Sequence, residues 1–131
     1  MLEITVEKPS GDRVLVSLTG RLDTTTHAQC EESLGPLLVP ETRVLILDMA
    51  RLEYLSSMGL RVLMRTNKVL SGQGGQCLFV NLQPPIRAVI DIANALPDET
   101  VFASVEEADR YLDIMQRRAK EATPKTTNRP R

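Results

Sequence analysis

The period of apolar and polar positions changes several times along the chain, and each change predicts an element. Residues 2 to 7 alternate, with Leu2, Ile4 and Val6 on one side and Glu3, Thr5 and Glu7 on the other, which is the period of a half-exposed strand. Pro9-Ser10-Gly11-Asp12 supplies turn chemistry, and Val14 to Thr19 alternates again. The two runs predict an antiparallel hairpin at one edge of a sheet. Gly20-Arg21-Leu22-Asp23 closes the second strand, and Thr24 to Leu38 carries Ala28, Cys30, Leu34, Leu37 and Leu38 at spacings that predict a helix. Val44, Leu45, Ile46 and Leu47 are consecutive apolar residues, as in a strand covered on both faces, and Asp48 is the polar break after them. Leu60, Leu63, Met64 and Leu70 then return to helical spacing, with the turn into that helix at Ser56-Ser57-Met58-Gly59. A serine hydroxyl accepts a hydrogen bond from a free first-turn N–H, so Ser56 or Ser57 is the expected N-cap.

Ser71-Gly72-Gln73-Gly74-Gly75-Gln76 is glycine-rich. Nucleotide-binding loops run from a strand through glycines into a helix, whereas these glycines leave a helix and enter the strand Cys77 to Val80, so they read as a helix stop and connection. A proline at a first helical turn costs no hydrogen bond, so after Pro84 a helix is expected from about Pro85 to Asn94, burying Ile86, Val89, Ile90 and Ala93. Val101-Phe102 is a short strand, and Ser104-Val105-Glu106-Glu107 has the form of a capping box at the start of a last helix carrying Ala108, Tyr111, Leu112 and Met115. Strands separated by helices give parallel crossovers, and the hairpin adds an antiparallel edge. The expectation is one mixed α/β domain over residues 1–121 with about four helices. From Ala122 to Arg131 no apolar period remains, which predicts a disordered tail.

Composition narrows the function. At 131 residues the chain is one domain by length, and Cys30 and Cys77 stand in no metal-like spacing. Neither a signal peptide nor a long apolar run is visible, so a protein of a reducing cytoplasm with no membrane insertion is expected. Residues 1 to 115 hold 10 Lys/Arg against 16 Asp/Glu, whereas residues 116 to 131 hold 6 against 1. The globular part is therefore acidic, which argues against nucleic-acid binding by its surface.

An enzyme reading finds no catalytic set. The nucleophile elbow of α/β-hydrolases needs a glycine two residues before the serine, and before Ser57 that position is Leu55. The single histidine, His27, opens a predicted helix as a solvated residue commonly does, and His27, Cys30 and Glu31 lack the flanking ligands that zinc requires. No metal or cofactor is expected.

The pattern Leu47-Asp48, Leu52, Tyr54-Leu55, Ser56-Ser57-Met58-Gly59-Leu60 resembles the signature of the STAS family, and within it the anti-sigma factor antagonists. Gly20-Arg21-Leu22-Asp23 before a helix is a second similar element. In that family the serine two residues before the glycine is phosphorylated, which by resemblance is Ser57, with Ser56 the less favoured acceptor. Ser56 stands where the family often has an acidic residue. The resemblance covers about residues 2 to 117 and implies a single STAS-like domain, not itself an enzyme. It also implies a kinase-type anti-sigma factor as partner and a phosphoserine phosphatase as a second one. The implied partner surface takes in Asp23, Ser56, Ser57, Met58 and Gly59. An aspartate just before a helix is also a common cap, and that reading of Asp23 stays open beside the first. Gly59 stands just inside the helix, where glycine costs roughly 1 kcal/mol relative to alanine, and so implies close approach of another surface. The family leaves a second job open, a scaffold or lipid-transport accessory subunit in which Ser57 is only a cap.

Overall fold

The computed structural model describes residues 1–127. Its strands are β1 (Leu2–Ser10), β2 (Arg13–Leu22), β3 (Val44–Leu55), β4 (Gln76–Val80) and β5 (Val101–Phe102), and its helices are α1 (His27–Leu34), α2 (Ser57–Gly72), α3 (Pro84–Ala93) and α4 (Val105–Thr127). The strands form one sheet in the order β1-β2-β3-β4-β5, antiparallel between β1 and β2 and parallel thereafter. The expected mixed α/β domain with its N-terminal hairpin is the observed fold.

β3 lies in the middle, and its four consecutive apolar residues serve two cores. Leu45 and Leu47, with Met49, Leu52 and Leu55, pack with Leu22 of β2, Cys30 and Leu34 of α1, Leu63 and Leu70 of α2, and Ile86 and Ile90 of α3. Val44 and Ile46 face the other way, against Leu78 and Val80 of β4 and Ala108 and Leu112 of α4. Three helices thus cover one face of the sheet and α4 covers part of the other. Ser104 and Glu107 cap α4 as a shifted capping box, with the Glu107 N–H donating to Ser104 Oγ at 3.1 Å and Glu107 Oε1 accepting at 2.8 Å from the N–H of Ala103, one residue before Ser104.

Three expectations change. First, β3 does not end at Asp48. Asp48 Oδ1 accepts from the Ala50 N–H at 3.1 Å and from Asn81 Nδ2 at 3.0 Å, and the strand continues to Leu55 through two register shifts against β2. These irregularities break the strict two-residue period, which is why the extension is hidden in the sequence. Second, α1 begins at His27 rather than Thr24, because residues 23–26 form a closed turn, and Gly35–Leu37 continues it only as a 3₁₀ turn. Third, helical backbone runs as far as Thr127, past the expected start of the tail at Ala122. Residues 128–131 of the expected tail lie outside the described residues.

Arg13 fastens α4 to the hairpin. Its side chain is only 12% exposed, and its guanidinium reaches Asp109 Oδ1 at 3.1 Å and Asp113 Oδ1 at 3.0 Å, two carboxylates one helical turn apart. Both carboxylates are roughly half exposed, so the pairing is screened, and the covered stem contributes packing as well as charge. Arg13→Ala is expected to lower unfolding stability by about 1 kcal/mol. Urea melts at low and high salt check this, with the difference from the parent protein shrinking as salt rises.

Candidate functional site

The end of β3 passes into α2 without a loop. The Ser56 N–H donates to the Leu22 carbonyl oxygen at 2.9 Å, which ties this turn to the end of β2 and sets it beside the Asp23 loop. Ser56 is the N-cap of α2, its hydroxyl oxygen accepting from the Gly59 N–H at 3.1 Å and its carbonyl from the Leu60 N–H at 2.8 Å. That leaves Ser57 as the first residue of the helix. It is exposed, and among the described residues its hydroxyl has no hydrogen-bond partner. The N–H groups of Ser57 and Met58, which cannot be paired within the helix, are likewise open. The two serines therefore divide the work: one closes the helix end, and the other presents a free hydroxyl at its positive pole. Met58 beside it is half-buried.

Gly59 is buried, and the surface it approaches is the chain's own. A β-carbon there would lie 2.6 Å from the Leu22 carbonyl oxygen and 2.7 Å from Leu22 Cγ, with Leu55 Cδ1 at 3.1 Å. The close approach at Gly59 is made by β2 and β3 of the same chain. The glycine lets α2 start directly against the β2–β3 pair and so fixes where Ser57 emerges.

Asp23 organises the neighbouring loop. Its Oδ1 accepts from the Thr25 N–H at 2.9 Å, the Thr25 hydroxyl at 2.7 Å and the Thr26 hydroxyl at 3.3 Å. The N-cap position of α1 belongs to Thr26, whose own hydroxyl accepts from the Asp23 N–H and donates to the Arg21 carbonyl. The Asp23 carboxylate thus closes the turn before the helix, while its main-chain carbonyl accepts from the His27 N–H at 2.9 Å. The hydroxyl and backbone bonds from Thr25 favour the charged carboxylate and bring its pKa down from 3.8 to about 2.

Two further residues border the site, Arg21 and Tyr54, each inside one of the sequence motifs but with nothing in the sequence to show that they meet. Arg21 lies with its guanidinium carbon 4.2 Å from the centre of the Tyr54 ring and its Nε 3.5 Å from Asp23 Oδ2. Arg21 and Tyr54 are opposite each other across β2 and β3. That register exists only because β3 runs on past Asp48, which the sequence does not disclose. Tyr54 is 42% exposed, a large ring left partly open beside the two serines.

The C-terminal ends of β2 and β3 and the start of α2 present a free serine beside a fixed acidic loop, and on a five-stranded mixed sheet this defines an α/β module of one recognisable class. The STAS domain family model matches residues 3–108, and the chain belongs to that family. BtrV of Bordetella bronchiseptica, whose name describes an anti-sigma factor antagonist, is 31% identical over 107 residues, which is 82% of this chain and 91% of BtrV. The crystal structure of an anti-sigma factor antagonist from Mycobacterium paratuberculosis superposes with a TM-score of 0.74 at 25% identity, over 85% of this chain and 93% of that one. SpoIIAA, an anti-sigma factor antagonist determined in its unphosphorylated form, shares the fold with a TM-score of 0.73 at 19% identity, over 85% of this chain and 96% of its own. No helix among the described residues is long and apolar enough to cross a membrane.

Two outcomes follow from the geometry. Gly59→Ala is expected to destabilise the fold by about 1–3 kcal/mol, because backbone has to move for the new methyl, whereas Gly72→Ala, where nothing lies within 4 Å, is neutral or slightly stabilising. Thermal melts of the pair check this. Asp23 is expected to titrate near pH 2 in carboxyl-detected NMR, and Thr25→Val to raise its midpoint. The folded-state pKa is depressed, so whatever Asp23 contributes to the loop is present above about pH 4 and is lost as the pH falls toward 2.

Proposed function

We propose that this chain is an anti-sigma factor antagonist that works by partner switching controlled at Ser57. With Ser57 free it binds a kinase-type anti-sigma factor and so releases a sigma factor. When the γ-phosphoryl group of ATP is transferred to Ser57 Oγ, with loss of the hydroxyl proton and release of ADP, the complex separates. A phosphoserine phosphatase resets the switch.

The observation that carries this reading is the division between the two serines. Ser56 already caps α2, so Ser57 is not needed for the helix, and its hydroxyl is exposed and unengaged among the described residues. That weighs against the scaffold or lipid-transport reading, in which Ser57 is only a cap. BtrV supports the antagonist role at the level of family, and the same fold has been determined in a phosphorylated form in SpoIIAA. The physics supports the direction of the switch. A phosphate at a helix N-terminus meets open N–H groups and the positive end of the dipole, a contribution of up to about 1 kcal/mol, so the domain stays folded. Across an interface the same dianion has to be desolvated without a partner, which costs several kcal/mol, and binding is lost. Asp23, Met58 and the Arg21–Tyr54 pair form the rest of the proposed partner surface, with Ser56 behind them.

The test is incubation with a purified serine-kinase anti-sigma factor from the same genome and ATP, followed by mass spectrometry and a binding assay. Phosphate is expected on Ser57 in the parent protein and in Ser56→Ala, which should lose about 1 kcal/mol of stability with its cap. Ser57→Asp is expected to stay folded and lose binding by at least a hundredfold, and Ser57→Ala to bind whether or not ATP is present. Labelling on Ser56 would move the site by one residue; a folded Ser57→Asp that binds as tightly as the parent would remove the charge switch.

A further inference from the structure

One helical turn beyond Ser57 stands a cation with nothing to hold. Arg61 follows Ser57 by four residues in α2, the spacing at which side chains meet on a helix surface, and both residues are exposed. The neighbouring cations Arg21 and Arg65 are engaged, whereas Arg51, exposed on β3, is unpaired among the described residues but does not share a helical turn with Ser57. Arg21 lies over Tyr54 and beside Asp23, and Arg65 is 3.8 Å from Glu31 Oε2. Among the described residues the Arg61 guanidinium has neither a hydrogen bond nor an ion pair.

We propose that Arg61 is the counter-ion of phosphate on Ser57, a positioning residue that holds the dianion against the first turn of α2. This rests on the reading of Ser57 as the modified residue. A phosphate on Ser57 Oγ has three acceptor oxygens, and the donors available to them are the open N–H groups of the first turn and the guanidinium one turn on. In the unmodified chain this rim presents Arg61 and the helix's positive end to a partner. In the modified chain the phosphate outweighs Arg61 and also withdraws it. One transfer therefore reverses the sign of the surface and removes a donor from it. A partner that reads Arg61 through a carboxylate loses that contact and gains a repulsion.

The contact is tested in the full-length chain with phosphoserine incorporated at position 57 during translation. The second ionisation of the phosphate is followed by ³¹P NMR. An adjacent guanidinium favours the dianion, so Arg61→Gln is expected to raise the midpoint, weakening the acid by about two- to threefold. Arg61→Lys should fall between the two, and Arg21→Gln should leave the midpoint where it is. Melting curves of the unphosphorylated variants should coincide, since Arg61 is exposed, and a merely structural role for Arg61 would move the melts and not the phosphate. An unchanged midpoint in folded Arg61→Gln overturns the proposal, as does an equal shift in Arg21→Gln. Because no kinase is used, failure of a kinase to label Ser57 would overturn the switching role and leave this contact standing.

Discussion

Val44 to Leu47 are four apolar side chains in a row on a strand whose side chains alternate between faces, so both faces of β3 have to be covered. A strand in that position cannot be an edge, and it is flanked by β2 on one side and β4 on the other, both parallel to it. Parallel neighbours need crossovers, and the crossovers supply the cover: α1 between β2 and β3, and α2 between β3 and β4, both on the face that holds Leu45 and Leu47. The opposite face waits for α4, which arrives last in the chain and is held through Leu112, Ala108 and the Arg13 ion pairs. Apart from Arg13 and Leu15, which meet the α4 side, the β1–β2 hairpin is covered on one face only, and its outward positions are Glu3, Thr5, Glu7, Ser17 and Thr19.

The same constraint places the site. β2 and β3 are parallel, so they end at the same side of the sheet, and the segments that follow them, the Asp23 loop and the Ser56–Gly59 turn, meet there. The Ser56 N–H to Leu22 carbonyl bond is the seam between them. Gly59 permits that seam because any larger residue would strike the Leu22 carbonyl.

Much of this was legible in advance because local signals and the fold agree. Alternation marked the hairpin, the run at Val44 marked the central strand, the serines marked the start of α2 and Ser104 and Glu107 that of α4. What was not legible depended on contacts remote in sequence. The extension of β3 to Leu55 runs through Arg51, Glu53 and Tyr54, polar or amphipathic residues on an exposed surface, and its pairing with β2 is bulged, so no simple period remains. Without that extension the Arg21–Tyr54 stack could not be seen. Gly59 gave a true local signal of close approach, but a single residue does not say what approaches, and only the packed sheet identified Leu22. At Asp23 the sequence allowed a cap or a contact. The structure shows a third arrangement, in which the carboxylate closes the preceding turn and leaves the N-cap position to Thr26.

The surface around Ser57 is largely fixed before any partner arrives. Asp23 is held by the Thr25 and Thr26 hydroxyls, Arg21 by Tyr54 and Asp23, and the start of α2 by Ser56 and by the fit of Gly59 against Leu22. In the proposed complex, a partner docking here would have little ordering entropy to overcome on this side, which favours affinity from a small patch. Rigidity also limits how modification can act. The helix start is braced by backbone contacts that a phosphate on an exposed hydroxyl does not touch, so a change of shape has no obvious lever. In the proposed switch, what a phosphate on Ser57 would change is the sign and hydration of a preformed surface, and that would be sufficient, because a dianion that the docking protein does not neutralise costs more than most interfaces of modest size can offset.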